Sequence, residues 1–115
     1  KYLKEGFKMI KNTNADCCLG ITEYDFPIQR AMYLRGKKTN FYWPKNKNKR
    51  SQIFEKLYHD AAKFYWLNLK SFLKHYQLYP KNMNAIKIPR KYVQDIDEIE
   101  DFELAKIKFK NNFIK

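Results

Sequence analysis

The chain has 115 residues, about the length of one domain, and 44% of them are hydrophobic and 17% aromatic. This composition excludes a chain that is disordered throughout, and no apolar run approaches the ~18 residues that a membrane-spanning helix needs. The formal charge is +12, but lysine outnumbers arginine 20 to 4 and is scattered along the chain, which indicates a general lysine bias rather than one basic face.

The only two cysteines, Cys17 and Cys18, are adjacent in the apolar run CCLGIT. Their spacing is neither a disulfide framework nor the CxxC pattern of a metal or redox site. We therefore expect both to be buried free thiols of a reducing compartment, and the protein to be cytoplasmic.

In the first half of the chain, polar segments and glycine or proline residues separate the apolar runs. The runs predict a helix over 2–11, a strand over 17–22, a short strand or irregular segment over 28–34, and an aromatic strand over 41–43. The basic run KNKNKR at 45–50 then predicts an exposed loop.

In the second half, Ser51 is predicted to cap a short helix that ends at Leu57, because Glu55 lies close to the capping-box position. The elements predicted after it are a strand over 61–66, a helix over 67–76, a strand over 85–89, an extended segment over 93–96 and a closing helix over 98–109. Helices and strands that alternate at these lengths predict an α/β domain with a largely parallel sheet.

The closing helix carries one apolar stripe, which is predicted to face the core. The stripe consists of Ile99, Phe102, Ala105 and Phe109. Asp97 is predicted to be the N-cap, with Glu100 three residues later to complete a capping box.

Six of the twelve acidic residues lie between Asp95 and Glu103. Most of them are explained by the helix, because acids in its first turn suit the helix dipole, but Asp95 lies outside it. In an extended segment Asp95 and Asp97 project to one face about 6.6 Å apart, while Ile96 enters the core. Two carboxylates at this spacing suit Mg²⁺. The DxD pattern is short and common.

Four groups of residues carry a resemblance to a known family. They are FPIQRA (26–31), RSQ (50–52), YHDA with FYW (58–61 and 64–66), and IPRKYVQDIDEIEDFELA (88–105). Together they resemble the C-terminal half of the nonulosonate cytidylyltransferases, and most of all the branch that acts on pseudaminic acid. The resemblance covers nearly the whole chain and preserves the order and spacing of the motifs.

The resemblance implies a Rossmann-like α/β/α nucleotidyltransferase fold. It implies an enzyme that transfers CMP from CTP to a nonulosonic acid and releases pyrophosphate. The CMP-sugar would then be used for bacterial surface glycans or for flagellin glycosylation. Pseudaminic acid is the expected sugar, and sialic acid, legionaminic acid and KDO are the alternatives.

The resemblance also implies roles for individual residues. Asp95 and Asp97 match the family's catalytic, metal-binding carboxylates, with Mg²⁺ as the cofactor, and either one is a candidate to accept the proton of the attacking hydroxyl. The implied substrate-binding residues are Arg50, Gln52, Tyr58, His59, Asp60 and Gln29. Without the family, Arg50 reads as a solvated arginine and His59 as a structural histidine.

By the same resemblance, residues 1–34 and 59–115 form part of the nucleotidyltransferase core, and residues 35–58 form a projecting segment that dimerises and borders the sugar pocket. The family's glycine-rich CTP-binding loop has no counterpart, because the three glycines are isolated. We therefore expect the N-terminal CTP-binding half to be absent and the chain alone to be inactive. The expected partners are CTP, a nonulosonic acid and a second copy of the chain, but neither nucleic acid nor a membrane.

The chain departs from the family pattern at two places. After SQ, Ile53 and Phe54 replace the usual acid and leucine, and after YHDA, Ala62 and Lys63 replace the usual Gly-Gln. These changes leave the identity of the sugar open.

A small basic module that binds nucleic acid or an acidic partner is the competing hypothesis. The KNKNKR run follows the aromatic residues Phe41, Tyr42 and Trp43, and such a pairing can bind phosphates and stack on bases. No recognisable nucleic-acid module surrounds it.

Overall fold

The computed structural model describes residues 1–114, which divide into two compact units. One unit combines Lys1–Thr22 with the chain from His59 onward, and the other is Glu23–Tyr58. The projecting segment predicted at 35–58 lies within the second unit, and its role in dimerisation stays a prediction.

The regular elements alternate between helix and strand along the chain. They are helix α1 (Tyr2–Asn12), strands β1 (Cys17–Glu23), β2 (Met32–Arg35), β3 (Lys38–Phe41) and β4 (Tyr58–Leu67), helix α2 (Leu69–His75), strand β5 (Met83–Lys87) and helix α3 (Ile99–Phe113). In the larger unit β1 lies between β4 and β5. It pairs in parallel with β5, from Cys17 opposite Met83 to Ile21 opposite Lys87. The predicted α/β class and parallel pairing are confirmed, and the Rossmann-like arrangement stays a prediction.

Strand β1 forms the centre of the core because its apolar run is buried almost throughout. Cys17 and Cys18 are free and fully buried, as predicted, and burial raises the pKa of both thiols, helped at Cys17 by the nearby charges of Cys18 and Asp60. These thiols are therefore protonated packing groups rather than nucleophiles.

Helix α1 approaches strand β4 so closely that only glycine fits at the contact. A Cβ placed on Gly6 would lie 2.6 Å from Cε2 of Phe64 and 3.1 Å from Cδ1 of Trp66. The Nε1–H of Trp66 donates to the carbonyl oxygen of Leu3 at 2.9 Å, which fixes the same contact by a hydrogen bond.

The smaller unit is built around a hairpin of the antiparallel strands β2 and β3. Gly36 in its turn has a φ of 60°, a conformation that glycine adopts without strain. The two ends of the unit are joined by a hydrogen bond of 3.1 Å from the N–H of Tyr24 to the oxygen of Leu57. A 3.1 Å ion pair between Lys56 and Glu23 supports them.

Two local predictions in this unit are wrong. The helix predicted from Ser51 to Leu57 is a single 3₁₀ turn, Ser51–Ile53, without a side-chain cap, and Phe54 is already extended. Strand β3 ends at Phe41, because the aromatic residues after it enter a second 3₁₀ turn, Pro44–Asn46. Residues 93–96 were predicted to be extended, and Val93 is extended directly after the 3₁₀ turn Arg90–Tyr92.

Helix α3 runs on to Phe113, and its cap lies one residue later than predicted. Glu98 is the N-cap rather than Asp97, and Oδ2 of Asp101 accepts the N–H groups of Asp97 at 3.2 Å and Glu98 at 3.1 Å. The side chain three residues after the true cap thereby satisfies two of the unpaired donors at the helix start.

The apolar stripe of α3 does not enter the core, contrary to the prediction. No residue of this helix is buried, and Ile99 is 73% exposed. Ile96, which was also predicted to be buried, is 52% exposed. The helix is held mainly by polar contacts, because Nζ of Lys108 donates to the oxygen of Val93 at 2.7 Å and to Oε1 of Gln94 at 2.8 Å. Within the described residues no helix is long and apolar enough to cross a bilayer.

Candidate functional site

The smaller unit contains a pocket of about 400 Å³ whose wall is strongly basic. It is lined by Arg30, Lys47, Asn48, Lys49, Arg50, Ser51 and Gln52. Arg30 is the last residue of the 3₁₀ turn Ile28–Arg30, and Arg50 directly precedes the turn Ser51–Ile53. The backbone hydrogen bonds of these turns hold the main chain at both arginines in place. Within the described residues, none of the four cations has a carboxylate partner. Such a pocket attracts an anion.

A second cleft of about 210 Å³ in the same unit shares Ser51 and Gln52 with the basic pocket. Its other walls are Glu23, Tyr24, Asp25, Phe26, Pro27, Ile28, Gln29, Phe54, Glu55, Lys56 and Leu57. Both apolar and polar side chains therefore line it. Gln52 is placed where it can reach a ligand in either space.

Gln29 is fixed at both ends in the wall of this cleft. Its Nε2–H donates to the oxygen of Glu55 at 2.9 Å, and its backbone oxygen accepts from Nδ2 of the buried Asn46 at 2.9 Å. Oε1 of Gln29 is buried, and no hydrogen-bond donor of the described residues reaches it. Buried acceptors normally have a partner, so this oxygen is an exception among the buried polar atoms.

Asp60 lies at the centre of a hydrogen-bond cluster in the larger unit. Its Oδ2 accepts from the hydroxyls of Tyr65 and of Tyr79, the latter at 2.8 Å, and its Oδ1 accepts from the N–H of Ala62 at 2.8 Å. Burial alone would raise the pKa of this carboxyl, but these hydrogen bonds and the neighbouring His59 outweigh it and lower the pKa. The hydrogen bond to Asp60 raises the pKa of Tyr65 above its ordinary value. The cluster therefore holds a carboxylate and a neutral phenol together.

The two residues before Asp60 differ in how they are held. Nδ1 of His59 donates to the backbone oxygen of Asp60 at 2.8 Å, which fixes its ring beside the cluster. Tyr58 is 38% exposed at the start of β4. Direct contact of these two side chains or of Asp60 with substrate stays a prediction, and three protein donors already occupy the Asp60 carboxylate.

Asp95 and Asp97 lie in the exposed loop before α3. Oδ1 of Asp95 accepts the N–H of the next residue at 3.1 Å, which leaves its second oxygen to the solvent side. The described residues contain no group of three or more histidine, cysteine, aspartate or glutamate side chains arranged around one point. The donor set fits magnesium, which commonly binds through one or two carboxylates and completes its shell with water and phosphate oxygens.

Three of the predicted substrate-binding residues, Gln29, Arg50 and Gln52, line the adjoining spaces of one unit. The sequence had not assigned the other cations of the basic pocket, Arg30, Lys47 and Lys49, to a site. The signals for them were the FPIQRA motif, which contains Arg30, and the KNKNKR run, which contains Lys47 and Lys49 and was predicted to be an exposed loop. The partners of Asp60 were missed because they lie five and nineteen residues along the chain and no local pattern joins them.

The larger unit has its own pocket of about 600 Å³, which contains none of the predicted site residues. It is lined by Lys1, Tyr2, Leu3, Lys63, Phe64, Ile88, Tyr92 and Phe113. Its wall is mainly aromatic and aliphatic, and it is open to solvent.

No protein-family model matches this chain. Two curated relatives do, both called pseudaminic acid cytidylyltransferase and both from Campylobacter jejuni subsp. jejuni, of serotypes O:2 and O:23/36. They are 34% and 33% identical to it over 111 residues, which is 96% of this chain and 48% of each relative. The chain thus spans about half the length of the curated relatives it matches. The resemblance seen in the motifs is confirmed: over nearly all its residues, this chain is related to about half of a pseudaminic acid cytidylyltransferase.

Proposed function

We propose that this chain takes part in the transfer of CMP from CTP to a nonulosonic acid, with pseudaminic acid as the substrate and pyrophosphate as the second product. The observation that carries the proposal is the match to two pseudaminic acid cytidylyltransferases over 96% of the chain. Because the match spans only about half of each relative, we assign to this chain the metal-binding and sugar-binding residues. We assign the binding of CTP to a further segment that this sequence does not supply.

Asp95 and Asp97 are the proposed holders of Mg²⁺. When bound, the ion supplies positive charge to the phosphate oxygens and lowers the pKa of the attacking hydroxyl. The anomeric hydroxyl of the sugar forms a bond to the α-phosphorus of CTP, the bond from that phosphorus to pyrophosphate breaks, and one of the two aspartates accepts the hydroxyl proton. Their exposure in the loop before α3 supports this role, because the carboxylates are open to a ligand from solvent.

Arg50 and Gln52 are the proposed contacts to the sugar. A guanidinium can bind the sugar carboxylate through two parallel hydrogen bonds, and the amide of Gln52 can bond to a hydroxyl or an N-acyl group. The basic pocket around Arg50 supports this assignment, because its cations are not neutralised within their own unit.

A homodimer in the cytoplasm is part of the same proposal. Tyr42 and Trp43 are 64% and 38% exposed, and their rings pack edge to face with centroids 4.8 Å apart. Exposed aromatic pairs are enriched in protein interfaces. Light scattering on the complete protein measures its mass directly, and a monodisperse monomer would count against the dimer.

The decisive test is the release of pyrophosphate from CTP and pseudaminic acid by the complete protein that contains this chain. The variants Asp95→Asn and Asp97→Asn should each lower kcat at least a hundredfold and weaken its dependence on magnesium. Glu100→Gln is the matched control, because it removes one negative charge from the same segment at a residue outside the proposed site. If both aspartate variants kept the wild-type rate and magnesium dependence, the metal assignment would be wrong.

The unpaired cations Lys47, Lys49 and Arg50 follow the exposed Tyr42 and Trp43 in the sequence, and they favour one second candidate, the binding of single-stranded nucleic acid. That function predicts binding of an oligonucleotide by the 115-residue chain with an affinity that falls steeply as salt is raised. Fluorescence anisotropy at two salt concentrations distinguishes it from the enzyme, whose activity requires CTP and an acidic sugar.

A further inference from the structure

We propose that Gln94 positions the two carboxylates of the proposed magnesium site. It does so together with Asp101 and Lys108, which hold its side chain from helix α3. The three are positioning residues: they fix the main chain that carries Asp95 and Asp97 and do not themselves bind the ion. The proposal rests on the proposed function for the role of the two aspartates, and it adds the side chains that hold them in place.

Helix α3 turns a polar face toward the segment that precedes it. Four of its residues are half-buried and the others are exposed, and the four recur at intervals of four, three and four residues. This spacing places them on one side of the helix. They are Asp101, Ala105, Lys108 and Asn112. The half-buried side of α3 therefore carries mainly hydrogen-bonding groups, where the inward side of a helix usually carries apolar ones.

These groups contact the main chain of the loop before the helix. Nζ of Lys108 donates to the backbone oxygen of Val93 at 2.7 Å. Oδ2 of Asp101 accepts the N–H of Asp97 at 3.2 Å and that of Glu98 at 3.1 Å. The helix thus holds the loop on both sides of the DxD pattern.

The amide of Gln94 joins these two contacts. Its Oε1 accepts from Nζ of Lys108 at 2.8 Å, and its Nε2 donates to Oδ1 of Asp101 at 3.1 Å and to the backbone oxygen of Asp95 at 3.0 Å. An ammonium only donates and a carboxylate only accepts, so a single orientation of the amide satisfies all three partners. Gln94 is therefore a neutral link between a cation and an anion, and it holds the main chain of the first aspartate directly.

The hold on the main chain matters because Asp95 and Asp97 are both exposed. Magnesium takes its ligands at about 2.0–2.1 Å in near-ideal octahedral geometry, and a site that is loose by about 1 Å commonly fails. Removal of a group that orients a metal ligand typically lowers metal affinity or activity about 10–100-fold. The link through Gln94 therefore controls how well the two carboxylates can share one ion.

A reversal of hydrogen-bond polarity between Gln94 and Asp101 tests the link. Gln94→Glu places an acceptor opposite an acceptor. Asp101→Asn keeps one oxygen for the N–H of Asp97 and places a donor opposite a donor. The double variant restores one donor opposite one acceptor and has the net charge of the wild type. Each single variant should weaken binding of Mn²⁺ about tenfold, and the double variant should bind within about threefold of the wild type.

Titration of the complete protein with Mn²⁺, followed by electron paramagnetic resonance, measures this binding without any reaction. Asp95→Asn removes a proposed ligand and shows how much Mn²⁺ binds elsewhere. Asn112→Ala is the matched control, because its Nδ2 lies on the same face of α3 but donates to the oxygen of Lys91 at 3.3 Å. It should lower helicity in circular dichroism and leave the affinity for Mn²⁺ unchanged.

Two further measurements separate positioning from a merely structural role. Amide hydrogen exchange at Asp97 and Glu98 should become severalfold faster in Gln94→Glu, because the loop is then released from the helix. In the release of pyrophosphate, the same variant should raise the magnesium concentration for half-maximal rate and leave KM for the sugar unchanged.

Three results would overturn the proposal. They are an unchanged affinity for Mn²⁺ in Gln94→Glu, an equal loss of affinity in Asn112→Ala, and a double variant that binds no better than the weaker single one. Failure of the proposed function gives a different pattern. If the wild type and Asp95→Asn bind Mn²⁺ alike, the metal assignment itself is wrong. If Asp95→Asn abolishes the binding and Gln94→Glu does not change it, the metal assignment stands and the positioning role fails.

Discussion

Ala62 has a φ of 50° in the middle of strand β4, in the left-handed region that L-residues other than glycine avoid. Its N–H donates to Oδ1 of Asp60 at 2.8 Å, so the unusual backbone forms part of the Asp60 cluster. The family that the chain resembles usually has glycine at this place. Replacement of Ala62 by glycine should therefore keep the hydrogen bond and remove the strain.

The expected gain is the difference between two terms. The left-handed conformation costs an alanine about 1–2 kcal/mol, whereas glycine loses about 0.4–1 kcal/mol through the greater freedom of the unfolded chain. The net stabilisation is about 0.5–1 kcal/mol. With an unfolding entropy of about 2.1 cal/mol/K per residue over 115 residues, this raises Tm by about 2–4 °C.

Urea unfolding followed by tryptophan fluorescence measures the free energy of unfolding. In a Trp43→Phe background, Trp66 is the only tryptophan and reports on the unit that contains Ala62. Ala61→Gly is the control: Ala61 is only 4% exposed and its backbone is ordinary, so the lost methyl group and the added chain entropy should destabilise by about 1 kcal/mol. The same substitution at two adjacent residues should thus change the free energy of unfolding in opposite directions. If Ala62→Gly destabilised the unit as Ala61→Gly does, the argument from strain would be refuted.

Three further predictions follow from contacts in the larger unit. Gly6→Ala should lower the free energy of unfolding by about 1 kcal/mol in the same urea assay, because overpacking against Phe64 costs about 1–3 kcal/mol and exceeds the ~1 kcal/mol gained in helix propensity. A stabilised variant would contradict the close contact. Asp101→Ala should lower helicity measured by circular dichroism and cost about 1 kcal/mol, because it leaves two N–H groups at the start of α3 without an acceptor; unchanged helicity would argue against the cap. Because the pKa of Asp60 is lowered in the folded state, its contribution to stability is present above the ordinary aspartate pKa of about 3.9 and lost as pH falls through the folded value. The stability difference between wild type and Asp60→Asn should therefore be full at pH 6 and shrink below pH ~4, and a difference that stays constant down to pH 2 would exclude a role for the ionised carboxylate.

The sequence predicted those parts of the fold that one local pattern determines. The helix from Tyr2, the buried strand from Cys17 and the aromatic strand that contains Phe64 each show a clear apolar run between polar breaks, and each was found within a few residues. The short helix after Ser51 failed because a capping pattern states where a helix can begin, but tertiary contacts decide whether it continues.

The candidate site was predictable only in part, for a related reason. Motif positions indicated Arg50, Gln52 and Gln29, and the FPIQRA motif contains Arg30, but no local pattern predicted the 3₁₀ turn that places Arg30 in the wall of the same pocket. A basic run in a sequence with 20 lysines has no single interpretation. Its meaning depends on whether acidic side chains lie within reach, and that is a property of the folded chain.

The exposed apolar face of helix α3 also shows that a sequence pattern does not determine what a side chain packs against. Its apolar pattern marks side chains that gain from burial, yet Ile99 and Phe113 are 73% and 61% exposed. The ring of Phe113 stacks on Phe109, with ring centroids 5.3 Å apart, and makes a tilted contact with Tyr92. Each large side chain left in water forgoes about 1.5–3 kcal/mol relative to full burial. A periodic pattern therefore states which face of a helix requires a partner surface. It cannot state which polypeptide provides that surface.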